Sequence, residues 1–167
     1  MRDLKSFAWI VPHLGLVMCL IALITPAAYF ENIIWNHEII KWILGFFQNT
    51  FNSIVNFDFY EESLQLVPSV LSSSVDILSI LIIAIGLIKY RNDLKKGSIN
   101  LSLIIIPAIC IISSTIFWMV MMEIAELNIY DFNMWDRYVP GFGVLGMFIG
   151  ASLIIFGSFL NKLIKYR

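Results

Sequence analysis

Charged residues are scarce in this sequence. Asp, Glu, Lys and Arg make up 14% of the 167 residues, whereas soluble domains carry about 25%, and apolar residues make up 59%. Too few polar groups remain to cover the surface of a soluble globule. The composition therefore excludes a soluble protein. The 11 basic residues form no single patch, so we expect no nucleic acid partner.

Cysteine and metal-ligand patterns are also lacking. Cys19 and Cys110 are the only cysteines, and no two cysteines stand two residues apart, which disfavours quinone-linked disulfide-forming membrane proteins. The stretch from His37 to Lys41 approaches the zinc-protease pattern, but lysine replaces the second histidine. Because no complete metal set, nucleophile–base pair or phosphate loop is present, we predict no cofactor, no metal site and no catalytic activity.

Long apolar runs dominate what remains. An apolar bilayer core needs about 20 helical residues, and four stretches meet that length, at about 7–30, 64–88, 99–122 and 140–163. We therefore predict an all-α membrane protein, in which a four-transmembrane-helix bundle forms a single domain over residues 1–167. The first stretch follows a basic tip and ends near Pro26-Ala27-Ala28, so a cleaved signal peptide is the alternative for that stretch.

The charges are divided between the two sides of such a bundle. Nine of the 11 basic residues fall at the termini and in the connection between the second and third stretches. The two outer loops, 31–63 and 123–139, contain nine acidic residues against Lys41 and Arg137. The positive-inside rule predicts a multi-pass protein of the cell membrane with cytoplasmic N- and C-termini.

The outer loops are rich in aromatic residues. Five apolar residues recur at helical spacing between Ile33 and Gln48, which predicts an amphipathic extracellular helix in the first outer loop. Val55, Phe57 and Phe59 alternate with polar residues, a strand pattern. We expect four aromatic side chains to lie at the membrane interface: Trp35, Trp42, Trp135 and Tyr138.

One carboxylate lies inside the predicted spans. Asp76 falls near mid-membrane depth, where a lipid-facing charge is costly, so it should face the bundle interior. We predict an intramembrane polar cluster of Asp76, His13, Ser72 and Ser79. In one interpretation Asp76 donates a hydrogen bond that sets helix register, and in the other the cluster forms a route for protons or a cation.

Two glycines mark a helix-packing face. Gly146 and Gly150 form a small-xxx-small pair that lets another helix approach closely. That helix belongs either to the same chain or to a second copy.

The predicted layout, with four spans, both termini inside, and a longer first outer loop, resembles the claudin and peripheral myelin protein superfamily of tetraspan proteins. The run Leu23-Ile24-Thr25-Pro26 before Tyr29-Phe30 is similar to the end of the first span in that group. The sequence lacks the family's outer tryptophan-glycine-leucine-tryptophan signature and its two outer cysteines. The resemblance therefore implies the architecture, and it carries over no barrier or adhesion residue.

These patterns together predict a non-catalytic structural, assembly or accessory subunit. Its expected partners are membrane lipids and either further copies of itself or a larger membrane complex. A small proton- or cation-conducting protein that uses Asp76 and His13 is the alternative. A third hypothesis is a binder of lipid or another hydrophobic ligand, in a cleft beneath the first outer loop.

Overall fold

A computed structural model describes residues 8–32, 36–92 and 101–165. Four longer helices pack side by side, and a five-stranded antiparallel sheet lies at one end of them. The elements, in chain order, are a 3-10 turn (Ala8–Ile10), α1 (Val11–Ile24), β1 (Ala28–Asn32), β2 (His37–Lys41), β3 (Phe46–Phe51), β4 (Ile54–Phe59), α2 (Ser63–Lys89), α3 (Ser102–Tyr130), the short α4 (Met134–Arg137), β5 (Val139–Pro140) and α5 (Phe142–Lys165).

Three helices of the described chain are long and apolar enough to cross a membrane: Ser63–Lys89, Ser102–Tyr130 and Phe142–Leu160. The prediction of four spans was therefore wrong. Helix α1 has 14 residues, which is about 21 Å of helix against a bilayer core of about 30 Å. The predicted span over 7–30 joined two elements, because the apolar residues after Pro26 belong to β1 rather than to the helix.

The sheet contradicts the all-α fold class. Its strand order is β4-β3-β2-β1-β5, so β5 from the second outer loop completes the sheet of the first. The predicted amphipathic helix over Ile33–Gln48 was also wrong, because the described part of that stretch forms β2 and the start of β3. Its Ile, Phe and Trp residues favour strands as well as apolar helix faces, and pairing with β1 and β4 decided between the two.

Tight turns set the strand register. Asn52 and Ser53 both have positive φ and join β3 to β4, as a two-residue hairpin with right-handed strand twist requires. Gly45, at φ +92°, closes the turn from Trp42 to Phe46 between β2 and β3. The strand predicted around Val55, Phe57 and Phe59 is present as β4.

The helices pack as two close pairs, α1 with α5 and α2 with α3, and α3 also contacts α5. Trp118, Met122 and Met147 are among the fully buried side chains of the common core. Helix α3 has 29 residues, or about 43 Å, so it exceeds a bilayer core and its last turns reach the sheet.

Candidate functional site

One face of α2 carries a line of buried polar side chains. They recur every three or four residues, which is the spacing of one helix face. We call this line the polar seam: Gln65, Ser69, Ser72, Asp76 and Ser79. Four of its members bond to α3. Ser69 accepts from Trp118 Nε1 at 3.0 Å, Ser72 donates to the Ser114 carbonyl at 3.1 Å, Gln65 donates to Glu126 at 2.6 Å, and Asp76 is the fourth.

Asp76 lies in the polar seam and is fully buried. The Ser114 hydroxyl donates to Asp76 Oδ1, so this carboxyl group joins α2 to α3. Its second oxygen, Oδ2, has no hydrogen-bond partner within the described residues. Of the predicted intramembrane cluster, the structure thus brings Asp76 and Ser72 together on Ser114, with Ser79 further along the same face.

His13, the fourth residue of the predicted cluster, lies near the start of α1. Its Nδ1 atom is 2.9 Å from the Trp9 carbonyl oxygen, and its ring packs edge-on against the Trp9 ring. Across residues 8–32, 36–92 and 101–165, no hydrogen bond or ion pair connects His13 with Asp76. The hydrogen bonds of the polar seam instead continue from Asp76 toward the sheet.

A buried ion pair lies where the polar seam meets the sheet. Lys41 Nζ, at the end of β2, pairs with Glu126 Oε1 in the last turns of α3, and Gln65 donates to the same oxygen. Lys41 is 4% exposed and Glu126 is 1% exposed. Removing either partner would leave a buried charge without compensation, at a cost of about 3–5 kcal/mol. The pair therefore fixes the sheet to α3.

Aromatic rings surround this ion pair. Lys41 Nζ lies 5.0 Å from the centre of the Tyr138 ring and 5.7 Å from that of Tyr60, which stacks on Phe47. Burial lowers the pKa of the Lys41 ammonium, and the Glu126 carboxylate opposes that shift. Burial, and after it the charge of Glu126, raises the pKa of both tyrosine hydroxyls. Both phenols are therefore protonated at neutral pH and can donate hydrogen bonds.

The aromatic residues predicted to lie at the membrane interface have several roles. Trp42 is buried, its indole N–H donates to the Ile24 carbonyl at 3.3 Å, and its ring stacks on Phe46. Trp135 donates its indole N–H to the Met119 carbonyl. Tyr138 is 4% exposed and packs beneath the sheet, and Trp35 lies outside the described residues.

The glycine pair of α5 contacts α1 of the same chain. A Cβ atom added to Gly150 would lie 2.6 Å from Cys19 Sγ and 2.7 Å from the Gly15 carbonyl oxygen. A Cβ at Gly146 would lie 2.8 Å from Ala22 Cβ. Only hydrogen at these two positions permits the observed distance between the helices.

The two edges of the sheet differ. At one edge, β5 has two residues and includes Pro140, which cannot donate a backbone hydrogen bond. At the other edge, all six residues of β4 are exposed, with Phe57 64% and Phe59 67% accessible. Asp58 is the one charged residue of this strand. Long apolar edge strands with few protecting charges are sites of strand pairing between chains.

The Lys41–Glu126 pair was not predicted from the sequence, because its partners are 85 residues apart and both fall in the predicted outer loops. Two signals were present. Lys41 stands within the apolar run Ile39 to Ile43, and Glu126 continues the helix face of Trp118 and Met122. The predicted third span ends at residue 122, so the continuation of its helix face to Glu126 was not recognised.

The chain was compared with family models and with curated proteins, and neither comparison gave a match.

Proposed function

We propose that the protein is a non-catalytic membrane assembly subunit that pairs with a second copy of itself through β4. The observation that carries this proposal is the open edge of the sheet, where Ile54, Val55, Phe57 and Phe59 are 52–67% exposed. Such an edge offers backbone N–H and C=O groups for strand pairing together with apolar side chains. One of these groups, the Phe59 N–H, donates to Asp58 Oδ1 at 2.9 Å in the single copy. The resemblance to claudins stays a prediction and contributes no residue to the proposal.

The side chains of β4 favour a second copy of the chain over an unrelated strand. In an antiparallel register centred on Phe57, Phe57 faces its equivalent, Val55 faces Phe59, and Asn56 faces Asp58. Aromatic and β-branched residues then pair on one face. Asp58, the one charged residue of β4, faces an amide rather than another carboxylate, so the register contains no like-charge pair.

The sheet end of the molecule is proposed to lie outside the cell. Helix α1 ends and α2 begins beside the sheet, so the last residues of α2 and the first residues of α3 lie at the opposite end. Nine of the 11 basic residues fall in the chain before α1, from the last residue of α2 to the start of α3, or from Lys162 to the end of the sequence. The positive-inside rule assigns these segments to the cytoplasm. Two copies in one membrane then present their β4 edges at the same height.

Cysteine cross-linking tests the pairing and its register. We expect Phe57→Cys to form a disulfide-linked dimer on mild oxidation in a bilayer, because directly opposed residues have Cα atoms about 4.5–5.5 Å apart. Val55→Cys is the matched control, since Val55 faces Phe59 of the second copy and not itself. Cross-linking at Val55 alone, or at neither position, would contradict the proposed register.

Two substitutions of Asn56, with opposite charges, test the same interface by native mass spectrometry in mild detergent. Asn56→Lys should increase the dimer fraction, because each lysine meets Asp58 of the second copy, and Asn56→Asp should decrease it. Asn56 is exposed, so neither change affects the packing of a single copy. If the natural chain and both variants are monomers, the proposal is overturned. This holds also where β4 of the monomer lies on the lipid surface.

A further inference from the structure

A cavity of about 450 Å³ lies between the sheet and the outer ends of α2 and α3. One wall is a single face of the sheet, because every second residue of three strands lines it: Phe30 and Asn32, His37, Ile39 and Lys41, and Phe47 and Asn49. The helices add Gln65, Glu126 and Tyr130. A cavity of this volume, lined by six Phe and Tyr rings together with polar side chains, falls in the range of small-molecule sites.

The basic side chains of the sheet end converge on this cavity. Residues 25–62 and 131–141 contain one lysine, Lys41, one arginine, Arg137, and one histidine, His37. All three line the cavity, whereas the lining contains one carboxylate, Glu126. The acidic residues of these segments are absent from the lining. Two of them, Glu31 of β1 and Glu38 of β2, stand opposite each other in the strand register and lie on the other face of the sheet.

Charge compensation inside the cavity is incomplete. Glu126 is engaged by Lys41 and Gln65. His37 Nε2 lies 2.9 Å from Asn49 Oδ1. Arg137 stacks its guanidinium over the Phe132 ring at 4.2 Å, an arrangement that leaves its charge available. Lys41, Arg137 and Glu126 together therefore leave the lining with one positive charge in excess, His37 not counted.

A hydrogen-bond donor is also left over. Tyr60 lines the cavity and is 3% exposed, and its hydroxyl has no partner in the described part of the chain. A buried hydroxyl without a partner keeps the full cost of its desolvation, so this one points to an acceptor supplied from outside the protein.

We propose that this cavity binds a monoanionic amphiphile, whose carboxylate or phosphodiester accepts a hydrogen bond from Tyr60 and balances Arg137. Its apolar part lies against the aromatic walls formed by Phe30, Phe47, Phe132 and Tyr138. Either a membrane lipid headgroup or a free amphiphile supplies this chemistry. The inference does not depend on pairing through β4, because no residue of β4 lines the cavity.

Octanoate and octyltrimethylammonium, which share a chain and differ in charge, test the proposal on the delipidated full chain by isothermal titration. We expect octanoate to bind and the cation not to bind. Arg137→Gln should weaken octanoate binding about tenfold or more, and Tyr60→Phe about threefold to tenfold. The matched control is Lys162→Gln, which should leave binding unchanged. Lys162 is an exposed residue of α5 at the end of the molecule that is distant from the sheet.

Native mass spectrometry from nanodiscs separates the two sources. Retention of one phosphatidylglycerol, released by octanoate and lost in Arg137→Gln, identifies a lipid headgroup, whereas octanoate binding without retained lipid identifies a free amphiphile. Equal binding of the cation would overturn the proposal. So would equal losses in Arg137→Gln and Lys162→Gln. Because Arg137 is exposed and outside the core, this variant keeps the test informative if Tyr60→Phe fails to fold.

Discussion

Within the described chain, three Asp, Glu, Lys or Arg side chains are buried: Lys41, Asp76 and Glu126. Each contacts a polar side chain of another element. Their environments differ. Lys41 and Glu126 compensate each other, whereas Asp76 has one hydroxyl donor and one oxygen without a partner. The desolvation of this second oxygen is therefore not offset by any hydrogen bond within the described residues.

Asp76 separates the two interpretations of the polar seam. We expect Asp76→Leu to reduce the stability of the bundle by about 1 kcal/mol, since it removes the hydrogen bond from Ser114 between two apolar helices. Asp76→Asn keeps an acceptor for Ser114 and should retain the fold. Denaturant titration in detergent measures both, with Ser74→Leu as the control at an exposed position of the same helix.

Ion flux in liposomes tests the alternative interpretation, in which Asp76 is part of a conducting route. A proton or cation flux in the natural protein that Asp76→Asn abolishes, without a change in stability, would support the conducting role and contradict the structural one. We expect no flux in either protein, because the hydrogen bonds of Asp76 lead to Ser114 and not to His13.

Elements differ in how far their own residues define them. The three long helices were predicted within a few residues at most ends, because a long apolar run admits only a helix in lipid. The stretch from His37 to Phe51 has apolar residues at both helical and strand spacing. Its conformation depends on β1 and β4, which supply the hydrogen-bond partners on its two sides.

The pairing of α1 with α5 depends on glycine. We predict that Gly150→Ala lowers the free energy of unfolding by about 1–3 kcal/mol, because the new methyl group would overlap Cys19 Sγ and the Gly15 carbonyl. Gly86→Ala in α2 is the matched control. Its Cβ would meet Ile104 Cγ1 at 3.9 Å, an ordinary contact, so it should be neutral or slightly stabilising.

Thermal unfolding followed by tryptophan fluorescence compares the two variants. Equal stability of Gly150→Ala and Gly86→Ala would show that α1 and α5 can separate without cost. That result would contradict the close approach of the two helices and would leave Gly150 free to face a second copy.

At the scale of the whole molecule, charge distinguishes the two ends. Glu61 lies beside the sheet and Asn92 just beyond α2 at the opposite end, and both are exposed. We expect a membrane-impermeant maleimide to label Glu61→Cys on intact cells and Asn92→Cys only after permeabilisation. The unmodified chain, with Cys19 buried and Cys110 half-buried in α3, provides the background. Labelling in the reverse order would place the sheet in the cytoplasm.

The candidate cavity was foreseen only in outline. A cleft beneath the first outer loop was one of the hypotheses, but an amphipathic helix was expected to cover it. Alternation in β1, β2 and β3 decides which side chains face the cavity, and that alternation follows from strand pairing rather than from any single segment. Tyr138 was expected at the membrane interface, and it became a cavity wall because β5 joins the sheet beside β1.

Three features could be read from local stretches of sequence: the membrane-compatible helices, the uneven distribution of charge, and the burial of Asp76. Each of these follows from local composition and the cost of placing a charge in an apolar medium. Tertiary structure alone decided the sheet, the short α1, the Lys41–Glu126 pair and the excess positive charge of the cavity. Those features require partners far apart in the chain, and strand register or helix contact brings such partners together only after the chain has folded.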